Sequence, residues 1–182
     1  MYNSYRVISR TRDLCLKALK VGGYVAIKQR FTDADVPSKT QYCPKCYRPG
    51  YSQVQDPSCT ICYGTNYTSG YHVTIVKHGF VSDVQELTQY KKEGEIEVVK
   101  PRLYTEPEPI LTTNDLIVVV DYQNDRIVQE GARYVAVDAT PQRLRVYPEG
   151  LLNMTNGINE TVIQSVDVAK EPDNSYLYNV PL

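Results

Sequence analysis

The sequence predicts a mainly β fold: a small antiparallel β-barrel or sandwich with an N-terminal helix and an inserted four-cysteine module. Three observations carry that expectation. From residue 110 onward the chain is a series of short apolar runs separated by turn residues, with no helical stretch between them. A long segment with helical spacing lies ahead of Gly22. Between the two, a pair of CxxC sequences occupies residues 43–46 and 59–62. At 182 residues and 20.7 kDa the chain is large enough to bury a hydrophobic core without crosslinks.

Taken in order, Val7, Thr11, Leu14, Ala18 and Val21 recur at helical spacing, and Cys15 and Leu19 widen the stripe. This predicts a helix over 4–21 that packs the stripe inward, with Asn3 or Ser4 as cap and Gly22 and Gly23 as stop. Cys15 reads as a small buried apolar residue. Residues 24–31 predict a strand, followed by polar turn material up to the first cysteine. Beyond the cysteines, 71–78 predict another strand, broken at Gly79. The middle of the chain holds Gly94, Pro101, Pro107 and Pro109. It predicts an edge strand at 95–99 and an extended, proline-rich arm around 100–110. Further strands are expected at 115–121, 126–128, 133–138, 143–146 and 162–168, with a last edge at 176–180. The turns between them fall at Asn124-Asp125, Glu130-Gly131, Pro141, Pro148 to Gly150, Asn156-Gly157 and Pro172-Asp173. The expected domains are therefore 1–40, a helix and strand belonging to the main domain; 41–71, the cysteine module; and 72–182, the barrel-like domain.

Twenty basic and 21 acidic residues leave a formal charge of -1. A field that weak argues against a dedicated nucleic-acid binder, which carries a strong basic patch. No apolar stretch is long enough to span a bilayer, and residues 1–15 lack the apolar core of a signal peptide, so the expectation is a soluble protein in a reducing compartment with no membrane partner. The glycosylation-type triplets at Asn66, Asn153 and Asn159 are then chance matches. Sixteen tyrosines with no tryptophan and two phenylalanines suit half-wet sheet faces and interfaces.

Cys43, Cys46, Cys59 and Cys62 carry the clearest chemistry. In a CxxC turn the backbone folds back so that both sulfurs face one point, and two such turns provide the four soft ligands of a tetrahedral zinc. Disulfides or a four-cysteine iron–sulfur centre are the alternatives for the same residues. Residues 41–71 hold few aliphatic side chains, so their folding energy must come largely from the metal. A closed shell of thiolates leaves no position for a catalytic water, and with two histidines, no HExxH and no nucleophile motif the chain is not expected to be an enzyme. His72 and His78 are substitute ligands should one cysteine be absent from the metal. Asp115, Asp121 and Asp138 sit at strand ends, where turn chemistry accounts for them. Lys45, Tyr47, Arg48, Tyr51, Tyr63, Tyr67 and Tyr71 would form a stiff aromatic and basic surface for docking a subunit or stacking bases.

The run CPKCYRPGYSQVQDPSCTICYGTNYTSGY, residues 43–71, resembles the zinc-knuckle segment of neck proteins, of the head-closure or head-to-tail connector type, from tailed bacteriophages. Cys43-Pro44-Lys45-Cys46, Cys59, Cys62, Gly64-Thr65 and Gly70-Tyr71 keep that pattern. Ser58 and Thr60 around Cys59, Asn66 in place of a glycine, and Ser69 depart from it. The order of strands after residue 110 is similar to that of head-closure barrels. The resemblance implies a virion structural protein that forms a homo-oligomeric ring of twelve or six copies in the neck, assembled in the host cytoplasm. Such a ring closes the DNA-filled head or joins portal and adaptor proteins to tail proteins, with double-stranded DNA in its lumen. Loops such as 149–160 and the arm at 105–109 would reach adjacent rings. Interleaved Tyr, Lys and Arg in the module keep a nucleic-acid-binding zinc-ribbon and β-barrel module as the alternative.

Overall fold

The computed structural model describes residues 2–51, 56, 58–82, 89–90, 96–97, 101–137, 142–145 and 161–182. The expectations for Asp138, Pro141, Val146 and the loop at 149–160 fall outside the described residues, as do those for Asn153 and Asn159.

Helix α1 spans Tyr2–Gly22 and packs against β2 and β9. Leu19 is buried at 2% exposure, whereas Leu14 and Val21 are 59% and 90% exposed. Of the stripe expected to face the core, Leu14, Ala18 and Val21 are turned outward, while Cys15 and Leu19, together with Leu16, are turned in. The spacing allows two overlapping stripes about one residue apart on the helical wheel, and packing of the helix end on the sheet selects the second.

The strands are β1 (Tyr24–Lys28), β2 (Ile75–Ser82), β3 (Gln89–Tyr90), β4 (Ile96–Glu97), β5 (Arg102–Thr105), β6 (Leu116–Gln123), β7 (Arg126–Ala136), β8 (Gln142–Arg145) and β9 (Thr161–Lys170). β3 and β4 form a separate pair. The others make one antiparallel sheet in the order β5-β2-β1-β6-β7-β9-β8, and β5 also pairs with β9. Hydrogen bonding therefore runs round a closed circuit, β1-β2-β5-β9-β7-β6, and the sheet is ring-like.

Alternation along these strands builds two cores. Val25, Ile27, Leu103, Ile117, Tyr134, Val166 and Val168 meet on one face. Ala26, Leu116, Val118 and Val120 lie on the other, covered by Leu177 and Val180 of the C-terminal segment and by Tyr71 from the cysteine module. Both faces of β1 and β6 are buried, which is why they read as near-continuous apolar runs.

Two expected breaks are close contacts within strands. Gly79 lies inside β2 opposite Thr105, and a Cβ there would stand 2.7 Å from the Tyr104 carbonyl oxygen; the glycine allows close approach of backbones. Glu130-Gly131 does not divide two strands. β7 runs through it with a bulge, where Val118 faces Arg133 but Val120 faces Glu130. The expected turn at Asn124-Asp125 is present, with φ of 50° and 59°, the conformation of a tight two-residue hairpin. The last expected strand is instead a short 3-10 helix, Tyr176–Asn179, capped by Ser175. Buried Arg133 holds it by donating from Nη1 to the Leu177 and Val180 carbonyls at 2.5 and 2.9 Å.

The segment expected as an arm contributes β5 and then lies along the sheet. Glu106 accepts from the His78 backbone N–H and from Lys77 Nζ. Buried Gln164 donates to the Glu106 and Pro109 carbonyls and accepts from the Leu111 N–H.

Candidate metal centre

The two cysteine turns are built alike. Tyr47 N–H donates to the Cys43 carbonyl at 3.0 Å, and Tyr63 N–H donates to the Cys59 carbonyl at 2.8 Å. The halves are tied together by Cys43 N–H donating to Asn66 O and Thr68 N–H donating to Gln41 O, both at 2.8 Å, around an antiparallel bridge between Tyr42 and Tyr67. Thr65, 2% exposed, donates its hydroxyl to the Cys62 carbonyl at 2.7 Å. Gly70 closes the module at φ +69°, where a Cβ would come within 2.7 Å of the same carbonyl; an L side chain is excluded twice over, by backbone conformation and by space.

These turns bring Cys43, Cys46, Cys59 and Cys62 into one cluster whose sulfurs all lie within 4.8 Å of one another. All four are free thiols and buried, at 0, 1, 2 and 0% exposure. A tetrahedral cation bound through sulfur at ~2.3 Å needs sulfur–sulfur edges of about 3.8 Å, which this cluster accommodates. The donor set fits a soft or borderline metal with a closed shell, and the cluster is capable of metal binding.

Burial works against the thiolate form at Cys46, Cys59 and Cys62. At Cys59 it is outweighed by the backbone N–H groups of Cys62 and Ile61 and by neighbouring thiols, which bring the group down to about 7. Burial and the surrounding thiols push Cys46 well above the ordinary thiol range, and burial raises Cys62. Without a cation, like charges cannot accumulate here; a divalent ion allows the remaining protons to leave.

The module is fastened to the sheet at its base. Phe31 N–H donates to Gly70 O at 3.1 Å, His72 N–H donates to Gln29 O at 2.9 Å, and Arg30 bridges Tyr71. Beneath this seam, buried Asp115 accepts from Arg30 N–H at 2.8 Å and from Thr112 N–H at 2.7 Å. Its carboxylate satisfies backbone donors on two segments, a turn role as expected but one that also anchors the module.

Neither histidine joins the cluster. His72 Nε2 lies 3.4 Å from Asp35 Oδ1, with its ring against Phe31, and His78, in β2, packs on Tyr24 of β1. Cys15 is apart from it on α1. Asp35 itself accepts from the Thr32 N–H and hydroxyl, both at 2.9 Å, and pairs with Lys39. The Thr32 N–H chiefly holds this carboxyl far below its usual range.

The seven residues expected on the module's surface divide. Lys45, Arg48 and Tyr51 are exposed, and Lys45 Nζ sits 2.9 Å from Asp56. Tyr47 is half-buried, stacked on Tyr42 with ring centres 3.7 Å apart. Tyr63 is half-buried against the second core. Tyr67 and Tyr71 are buried and do not belong to the surface. Tyr67 donates its hydroxyl to Asp33 Oδ1 at 2.6 Å, and Tyr71 packs with Leu116 and Leu177. Their role is to couple module and sheet, which a module treated as a separate unit does not reveal. Sequence reasoning also missed Lys28, Asp35, Arg133 and Gln164, which are buried polar groups; their only sequence signal is a polar residue inside a predicted strand or turn. Comparison with protein-family models finds no match to this chain, and comparison with characterised proteins finds none either.

Proposed function

We propose that this chain is a structural protein of the tailed-phage neck, a small β-barrel subunit of an oligomeric ring whose four cysteines hold zinc. The ring, of twelve or six copies, would close the filled head or join portal and adaptor to tail proteins, with double-stranded DNA in its lumen. One observation carries this reading. Among the described residues no histidine or carboxylate joins the four buried thiols, and the module that carries them is bonded to Phe31 and Gln29 at the edge of a ring-like sheet, with Asp115 accepting from Arg30 at that seam. That arrangement supports shape and docking over catalysis. Zinc, when bound, supplies a tetrahedral crosslink; Cys43, Cys46, Cys59 and Cys62 would hold it, and Thr65 and Gly70 shape the turn that presents Cys62.

Native mass spectrometry and negative-stain electron microscopy of the zinc-loaded protein test the ring. Closed rings are the expected result. A monomer at every concentration, alone and with portal or tail proteins, contradicts the reading.

The exposed Lys45, Arg48 and Tyr51 beside the Tyr42–Tyr47 stack favour one second reading, a nucleic-acid-binding module. Binding to a short oligonucleotide that weakens steeply with salt would support it. No binding at low salt would remove it.

A further inference from the structure

The face of β1 that turns Ala26 into the second core also carries, at its end, a group that neither core uses. Lys28 is 9% exposed, as buried as the apolar residues around it, yet its ammonium has no hydrogen-bond acceptor and no carboxylate partner among the described residues. The charge acting on it has the wrong sign: burial and the guanidinium of Arg133 both disfavour its protonated form. Arg133 is itself fully engaged, by Leu177, Val180 and Glu130. Its aliphatic stem is covered while the ammonium itself reaches solvent, so the charge is available to a partner on this face.

Lys28 lines an open cleft of about 430 Å³ between the sheet and the base of the cysteine module. Tyr63, Tyr71 and His72 also line it. Ile61 and Val73 belong to the same cleft and stand 40% and 86% exposed. Asp35, which faces His72 of the same cleft, is itself held by Thr32 and Lys39. The cleft thus offers a recessed cation beside exposed apolar side chains.

We propose that this cleft receives an extended segment of a partner protein in which an aspartate or glutamate, flanked by apolar residues, sets its carboxylate on Lys28. A free inorganic anion would pair with the ammonium but leave Ile61 and Val73 uncovered; an acidic residue in an apolar segment satisfies both. The proposal rests on the docking role put forward above and gives the docked segment its chemistry. It also moves the contact from the Lys45–Tyr51 surface to the module's base.

A displayed library of random heptapeptides selected against the zinc-loaded protein tests it. Selected peptides are expected to share an acidic residue between apolar ones and to shift the backbone amide resonances of Ile61, Ser69, His72 and Val73. Exchanging the peptide's acid for its amide, or Lys28→Met in the protein, should weaken binding at least tenfold, while Lys28→Arg retains most of it. Selected peptides without an acid, equal binding to the Lys28→Met protein, or resonance shifts elsewhere would overturn the proposal. Displacement of the peptide by acetate or inorganic phosphate at equal concentration would also overturn it, because the apolar residues would then contribute nothing. The ring is a separate matter: peptide binding by a protein that never forms rings removes the ring and keeps the cleft, and rings without peptide binding do the reverse.

Discussion

The cysteine module and the ring-like sheet both keep water from a centre, but with opposite materials. The sheet does it with aliphatic side chains on two faces, Val25, Ile27, Ile117 and Val166 on one and Leu116, Val118 and Val180 on the other. The module has four sulfurs at its centre and, around them, backbone hydrogen bonds and stacked tyrosines. Stability of the first kind follows buried area and packing; with zinc bound as proposed, stability of the second kind would depend on the cation and on proton concentration. The two regions should therefore fail under different insults, and Tyr71, which belongs to both, should report on each.

The largest expected effect is loss of a ligand. Cys59→Ala leaves three thiols and forfeits most of a binding free energy that is about 10–16 kcal/mol in small zinc domains. Amide exchange should show residues 41–70 losing protection while β1, β6 and β9 keep theirs. Cooperative loss in both regions would erase the distinction. Next comes the sheet's own core. Ile117, fully buried, should cost about 2–5 kcal/mol when changed to alanine, measured by chemical denaturation, with metal stoichiometry unchanged. Arg133→Met should cost a comparable amount, about 1.5–3 kcal/mol for each of its two charge-assisted bonds to Leu177 and Val180, and limited proteolysis should then cut first within 175–182.

Acid sharpens the comparison. Asp35 has a folded pKa depressed below its unfolded value near ~3.9. Its contribution is present in full above that value and is lost as pH falls below it. Thiolates recapture protons sooner, so on acidification from neutrality the module should lose metal and amide protection before the sheet does. The smallest effect is expected at Lys45, whose pairing with Asp56 is solvent-exposed; Lys45→Ala should leave the denaturation midpoint essentially unchanged.

Much of this division was legible in the sequence, because its carriers are local. Two CxxC turns specify four converging sulfurs by spacing alone, and the near-continuous apolar runs of β1 and β6 and the alternating run of β9 specify strands. Asn124-Asp125 announces its hairpin. What was not legible depends on contacts made far along the chain. The orientation of α1 is settled by which stripe meets β2 and β9, not by periodicity. Gly79 and Gly131 look like breaks until a neighbouring strand approaches, at Tyr104 and Val119. Tyr176–Asn179 carries apolar residues at strand-like spacing but has Arg133 to satisfy its carbonyls, so it need not join the sheet. Tyr67 and Tyr71 carry no local sign of burial, because what covers them is Asp33's loop and the sheet beneath the module.

The central claim is that a metal, and not an apolar core, holds the module together on a sheet that folds without it. Elemental analysis combined with amide exchange, before and after chelation, addresses it in one measurement. The account predicts one zinc per chain, and loss of protection over 41–70 with β1, β6 and β9 still protected once the metal is removed. Folded protein with metal content near zero and a module still protected would contradict it.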